Sequence, residues 1–190
     1  MNDDQRRAAT DLWTREQAAG RLARLHKLRP PAFAAPGTLH PDIAAWADRI
    51  AAGQYGNLVL VSGTGVGKSW SLWAAAERLI TSGWAGYIEI LPARKLRAIV
   101  APPVDEAALD RLAAADILAI DDIGSMRISD WDSDHTGALL DARWEQQRPA
   151  ALTSNQLDLR AILGDRASSR LVDHATTVQM TGPDRRRSTA

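Results

Sequence analysis

Leu58-Val59-Leu60-Val61-Ser62-Gly63-Thr64-Gly65-Val66-Gly67-Lys68-Ser69 decides the fold. The alternating leucine and valine suit a strand buried on both faces, placed at residues 57–61. A helix is expected from about residue 68 to 82. The glycine-rich stretch between them has the strand–loop–helix setting that a phosphate-binding loop requires. Gly63, Gly65 and Gly67 let the backbone curl until several N–H groups converge on one phosphate. The helix that follows points its positive end at the same charge. Lys68 reaches the β- and γ-phosphates as a point charge, and the Ser69 hydroxyl suits Mg²⁺, a hard ion that prefers oxygen. Ser62 stands where such loops usually open with glycine; that position shapes the turn without touching phosphate, so the difference is expected to be tolerated. The candidate cofactor-binding residues are Ser62, Gly63, Thr64, Gly65, Val66, Gly67, Lys68 and Ser69, with Trp70 directly behind them. The plain alternative is a glycine-rich turn that binds nothing.

Further strands follow at intervals, expected at 87–91, 117–120, 150–154 and 175–181, with helices between them. Helical segments are read at about 93–100, 105–115, 133–147, 157–163 and 166–173. Strand alternating with helix implies an α/β fold with a parallel sheet covered on both faces. The third strand, Ile117-Leu118-Ala119-Ile120, delivers Asp121 and Asp122 to the edge where open α/β sheets bind ligands. Asp121 is the candidate second Mg²⁺ ligand, beside Ser69. Asp122 is the candidate group that orients or deprotonates an attacking water. Aspartate is also common in ordinary turns, so the pair gains meaning only beside the phosphate loop. The fourth strand ends in Thr153-Ser154-Asn155. The Asn155 amide is placed between the γ-phosphate and the water; its plainer use is as a turn or helix cap.

Before the first core strand, residues 5–28 read as a basic amphipathic helix. Residues 1–29 hold seven basic groups (Arg6, Arg7, Arg15, Arg21, Arg24, Lys27, Arg29) against four acidic ones. Such a helix contacts DNA phosphates, docks on a partner, or packs on its own domain. Pro30, Pro31, Pro36, Gly37 and Pro41 mark a linker, and a short helix is expected at about 42–53. The domain reading is therefore 1–29, 30–53 and a core at 54–190.

The 190 residues, 45% apolar and 24% charged, can bury a core, so disorder throughout is excluded. The 23 basic and 23 acidic residues cancel, so net charge alone does not argue for nucleic acid. No apolar run approaches membrane-spanning length, and the start lacks the pattern of a secretion signal. With no cysteine, disulfides and thiolate metal sites are excluded, and a reducing cytoplasm is the expected setting. His26, His40, His135 and His174 show no metal-ligand spacing. Asp130-Trp131-Asp132-Ser133-Asp134 superficially matches a calcium loop but has His135 where the sharp turn needs glycine, so Asp132 or Ser133 is read as a helix N-cap. Trp70 and Trp73, three apart on one helix, read as core side chains and not as adenine stackers.

Residues 33–186 resemble the AAA+ ATPases of the DnaC/IstB type, which are helicase loaders and transposition helpers. The resemblance rests on the phosphate loop, on Asp121-Asp122-Ile123-Gly124, on Arg148-Pro149 leading to Asn155, on Ser169-Arg170-Leu171, and on Gly182-Pro183-Asp184-Arg185-Arg186. Together these stretches span about four fifths of the chain. The resemblance implies a P-loop NTPase sheet of order 5-1-4-3-2, without a helical C-terminal lid, working as an ATP-dependent homo-oligomer with ATP and Mg²⁺ as cofactors. It makes Arg170 the arginine finger offered to a neighbouring subunit's γ-phosphate, with Arg166 as fallback; a solvated helix-face arginine is the alternative. It implies single-stranded DNA as a ligand, with Arg94, Lys95, Arg97 and Arg127 as contacts, and a backbone contact to adenine from residues 33–37. The partner implied is a replicative helicase, or a transposase if the chain is a transposition helper. Family members usually carry a longer region ahead of the first core strand than the roughly 50 residues here. A reading from another class is a nucleotide or small-molecule kinase, which shares the loop but needs an acceptor pocket. A third is an adaptor that binds ATP only as a structural switch.

Overall fold

The computed structural model describes residues 3–125 and 130–184. Five strands form one parallel sheet: β1 Leu58–Val61, β2 Ile88–Pro92, β3 Ile117–Asp121, β4 Ala150–Ser154 and β5 Thr176–Gln179. Their order is β2-β3-β4-β1-β5, which is the expected 5-1-4-3-2 sequence read from the other edge. All four pairings are parallel, with Leu60 opposite Thr153, Leu60 opposite Val178, and Leu118 opposite Ala150. The helices are α1 Asp3–Leu28, α2 Pro41–Ala51, α3 Lys68–Thr81, α4 Ala93–Val100, α5 Glu106–Ala114, α6 Asp130–Glu145 and α7 Arg160–Val172.

Side chains alternate across each strand, so the sheet has two apolar faces. Leu58 and Leu60 meet α2 and α3 through Ile43, Trp46, Leu72 and Leu79. Val59 and Val61 turn the other way, into a cluster with Leu96 of α4, Leu112 of α5, Leu140 of α6 and Leu163 of α7. A smaller cluster joins the C-terminal half of α1, through Leu25 with Leu22 and Ala18 against it, to Trp73, Ala76 and Ile80 of α3. Toward the other end of α1, Leu12 and Trp13 stay 59% and 62% exposed.

Two polar side chains organise the sheet edge where the strands begin. Arg143 is 1% exposed. It donates to the carbonyls of Leu112 at 2.7 Å, Ala115 at 2.8 Å and Pro149 at 2.7 Å. Burial lowers its pKa to about 10, so it remains a cation at neutral pH while tying the end of α5 to the entry of β4. Asn57 accepts from the Ala150 amide at 2.9 Å and donates to the Leu171 carbonyl at 2.9 Å, joining β1, β4 and α7.

Several boundaries differ from expectation. α6 begins at Asp130, so Asp132 and Ser133 lie inside its first turn and neither is the N-cap. The two short helices expected at 157–163 and 166–173 are both present within α7, which breaks between them at Gly164, where φ is 76° and ψ is 166°; only the first start, at Arg160, differs. Glycine adopts that conformation without the clash a β-carbon would bring.

Candidate functional site

β1 ends at Val61, and the chain turns at once into the phosphate loop. Gly65 has φ 80° and Gly67 φ 112°, both in the region that disfavours any other residue. Gly67 is the N-cap of α3, so the helix's free N–H groups open onto the loop. Lys68 is 7% exposed. Its Nζ donates to the carbonyls of Ser62 and Gly63, both at 2.9 Å, to Ser62 Oγ at 3.1 Å, and to Asn155 Oδ1 at 2.6 Å. The ammonium thus links the loop after β1 to the tip of β4.

The adjacent strand β4 and the next strand β3 complete the site. Ser69 Oγ donates to Asp121 Oδ1 at 2.9 Å. Thr153 Oγ1 donates to the same oxygen at 2.6 Å and accepts from the Asp122 amide at 2.7 Å. Asn155 Nδ2 donates to Asp122 Oδ1 at 3.2 Å. Asp122 itself has φ 62°, a left-handed conformation that aspartate tolerates better than most residues. The resulting chain of contacts runs Ser69, Asp121, Thr153, Asp122, Asn155, Lys68. Every residue named above for a catalytic, loop or metal role, Arg170 apart, falls within this one cluster or the loop beside it.

Thr153 was missed as a working part of the site. Its hydroxyl is fully buried and holds both aspartates at once. A polar residue as the penultimate member of an apolar strand is the signal that pointed to it.

The cluster floors a cleft of about 650 Å³, a size that suits a nucleotide. One wall is the linker, with Ala32, Phe33, Ala35 and Pro36; the opposite wall carries Pro92, Ala93 and Arg94. Trp70 fastens the linker in place. Its indole Nε1 donates to the Ala35 carbonyl at 2.8 Å, and its ring lies so close to Gly37 that an added β-carbon would sit 2.8 Å from it. Trp70 is therefore a half-buried wall of the cleft and not a core side chain, whereas Trp73 is core at 7% exposure. The helical spacing placed both on α3, but the face Trp70 occupies is covered by linker instead of by sheet.

The donor set fits Mg²⁺. A hydroxyl and a carboxylate, both hard oxygen donors, converge from α3 and β3 beside the glycine-rich loop, and these two residues would hold the ion.

Arg170 lies elsewhere. It sits at the end of α7, which leads into the start of β5, so it belongs to the sheet edge opposite the phosphate loop. Its guanidinium pairs with Asp141 at 2.5 Å and stacks 4.7 Å from the Trp144 ring. The side chain is 20% exposed; Arg166, also on Asp141 at 2.9 Å, is 72% exposed. Arg94, Lys95 and Arg97 are exposed on α4, and Arg94 reaches the cleft wall. Arg127 lies outside the described residues, as do Arg185 and Arg186 at the end of the closing motif. Among the described residues no helix is long and apolar enough to cross a membrane.

No family model matches the chain, and no curated protein matches it by sequence. Solved structures do match. The crystal structure of DnaI is 22% identical with a TM-score of 0.65, covering 83% of this chain and 94% of that one. The DnaC helicase loader is 20% identical with a TM-score of 0.60, covering 77% and 93%. The replication initiator DnaA bound to AMPPCP and single-stranded DNA is 18% identical with a TM-score of 0.56, covering 78% of this chain and 48% of that one. The chain shares the fold of the DnaI and DnaC structures, a five-stranded parallel sheet of order 5-1-4-3-2 with a glycine-rich loop after its first strand.

Proposed function

We propose that the chain is a Mg²⁺-dependent ATPase of the DnaC/IstB type that acts in DNA replication as a helicase loader. The observation that carries this reading is the continuous contact chain from Ser69 through Asp121, Thr153, Asp122 and Asn155 to Lys68. It assembles a phosphate cradle, a divalent-cation ligand pair and a carboxylate–amide pair at one edge of the sheet. Gly63, Thr64, Gly65, Val66 and Gly67 hold the triphosphate through backbone N–H groups, Ser62 shapes the turn that opens the loop, and Lys68 neutralises the charge. Ser69 and Asp121 hold Mg²⁺, which supplies charge neutralisation at the phosphates. Asp122 accepts a proton from, or orients, the attacking water, and Asn155 fixes that carboxylate from the side. Trp70 and the linker bound the space left for the base.

Arg170 acts in trans in this reading. Its place at the sheet edge away from the loop supports that, because a residue there has no path to its own subunit's phosphates. Asp141 and Trp144 hold the guanidinium in a defined pose at the surface, and a homo-oligomer formed with ATP presents it to the neighbour's site. Hydrolysis then switches affinity for single-stranded DNA and for a replicative helicase. The DnaC helicase loader and the DNA-bound DnaA among the similar structures support those partners. The N-terminal half of α1, with exposed Leu12 and Trp13, is the proposed partner or DNA contact. The cytoplasm is the proposed location, in keeping with the lack of cysteine.

The test is an ATPase assay on the full chain with and without single-stranded DNA, run beside a sizing measurement. Hydrolysis that rises with DNA and with assembly supports the loader. Phosphate transfer to a nucleoside, without DNA-stimulated hydrolysis, favours the kinase. Absence of adenine-nucleotide binding with Mg²⁺ in excess overturns both. The site does not separate a transposition helper from a loader; capture of a transposase instead of a replicative helicase would.

A further inference from the structure

β5 lies beside β1 and parallel to it, with Gln179 opposite Val61 and the Met180 amide donating to the Val61 carbonyl at 2.8 Å. The chain leaving β5 therefore emerges next to the phosphate loop leaving β1. It crosses over that loop. At Gly182, where φ is 151°, an added β-carbon would stand 3.7 Å from Val66 Cγ1. Two residues later the Asp184 carboxylate packs directly on Gly65, where an added β-carbon would collide with its Oδ1 and Cγ. Gly65 thus has two reasons to be glycine: its positive φ and the carboxylate lying on it.

An acid in this place is chemically pointed. The loop's converging N–H groups and the N-terminus of α3 favour any anion, a carboxylate as well as a phosphate. Once a triphosphate occupies the cradle, the same carboxylate is a like charge a few ångströms away, in surroundings where such repulsion is only partly screened. The two anions compete.

We infer that residues 182–184 form a clasp on the phosphate loop, in which Asp184 serves as an internal anion that MgATP must displace. Nucleotide affinity is thereby held down, and ATP entry is reported at the end of β5 as release of the clasp. The inference rests on the nucleotide-binding reading of the loop and adds a regulatory residue to that site.

The test uses the full chain and its Asp184→Asn variant, which keeps shape and removes charge. MgATP affinity is read by energy transfer from tryptophan to a fluorescent ATP analogue. The variant should bind about tenfold more tightly, the order expected for removing one like charge near the triphosphate. Asp184→Glu should bind like the wild type. Amide exchange at Gly182 and Asp184 should speed up when MgATP binds. Equal or weaker binding by the Asn variant overturns the clasp while leaving the nucleotide reading intact. Slower exchange on MgATP binding also overturns it, since the segment would then be closing on the nucleotide. Binding by neither protein overturns the nucleotide reading, and the clasp with it.

Discussion

Replacing Thr153 by valine tests whether the two aspartates are held by one hydroxyl. The side chains have nearly the same shape, and the site is fully buried, so packing is preserved while the hydroxyl is lost. Two contacts disappear: the 2.6 Å bond to Asp121 Oδ1 and the 2.7 Å bond from the Asp122 amide. The first is charge-assisted, worth about 1.5–3 kcal/mol. The second leaves an N–H without its partner at a residue already in a left-handed conformation, which costs about 1–3 kcal/mol. Asp121 and Asp122, unlike Thr153, are only half-buried, so water makes good part of their loss, and about 3 kcal/mol is the expected cost. For a chain of this size that is about 6–12 °C in Tm. The assay is thermal unfolding followed by ellipticity, with ATP turnover measured on the same samples. Turnover should fall at least about tenfold, because Asp121 and Asp122 lose the support that sets their geometry. Thr153→Ser keeps the hydroxyl and should stay within about 1 kcal/mol of wild type in stability, with most of its turnover. A valine variant that melts within a degree of wild type and hydrolyses ATP at full rate would refute the reasoning.

Asp122→Asn should leave nucleotide affinity unchanged within about twofold and reduce turnover at least about a hundredfold, measured by single-turnover hydrolysis; full turnover would favour the adaptor. Arg170→Ala should bind nucleotide normally and lose hydrolysis that depends on assembly, and mixing it with Lys68→Ala should restore part of the activity through mixed interfaces; an Arg170→Ala protein with full hydrolysis moves the finger to Arg166. Arg143→Met should destabilise the fold by about 3–5 kcal/mol in urea titration, because three well-made carbonyl bonds lose their donor, with ligand affinity unaffected in the protein that remains folded.

The phosphate loop was legible because its chemistry is local: a strand, three glycines, a lysine and a serine stand in consecutive positions. Asp121 and Asn155 were legible for a related reason, since one ends an apolar strand, the other directly follows one, and parallel strands bring their ends to one edge. What stayed hidden joins segments far apart in the chain. Arg143 reads as one more helix arginine until the end of α5 and the entry of β4 bring five carbonyls to it. Asn57 reads as a strand-edge residue until Ala150 and Leu171 close on both ends of its amide. Asp184 follows the last strand by only a few residues, yet its contact is with Gly65, over a hundred positions earlier. Trp70 was misplaced because helical spacing tells which residues share a stripe and not what covers it. The start of α6 was misplaced because aspartate and serine serve equally well at a cap and in the turn after it.

The backbone at Asp122 carries a consequence for anyone ranking substitutions there. With φ at 62°, the position sorts replacements by torsional tolerance before it sorts them by charge. Asparagine and glycine fit the angle and forfeit the acid; glutamate keeps the acid and resists the angle. In a saturation library, the nearest chemical relative of aspartate should therefore be depleted for folding, while the inert amide folds and survives.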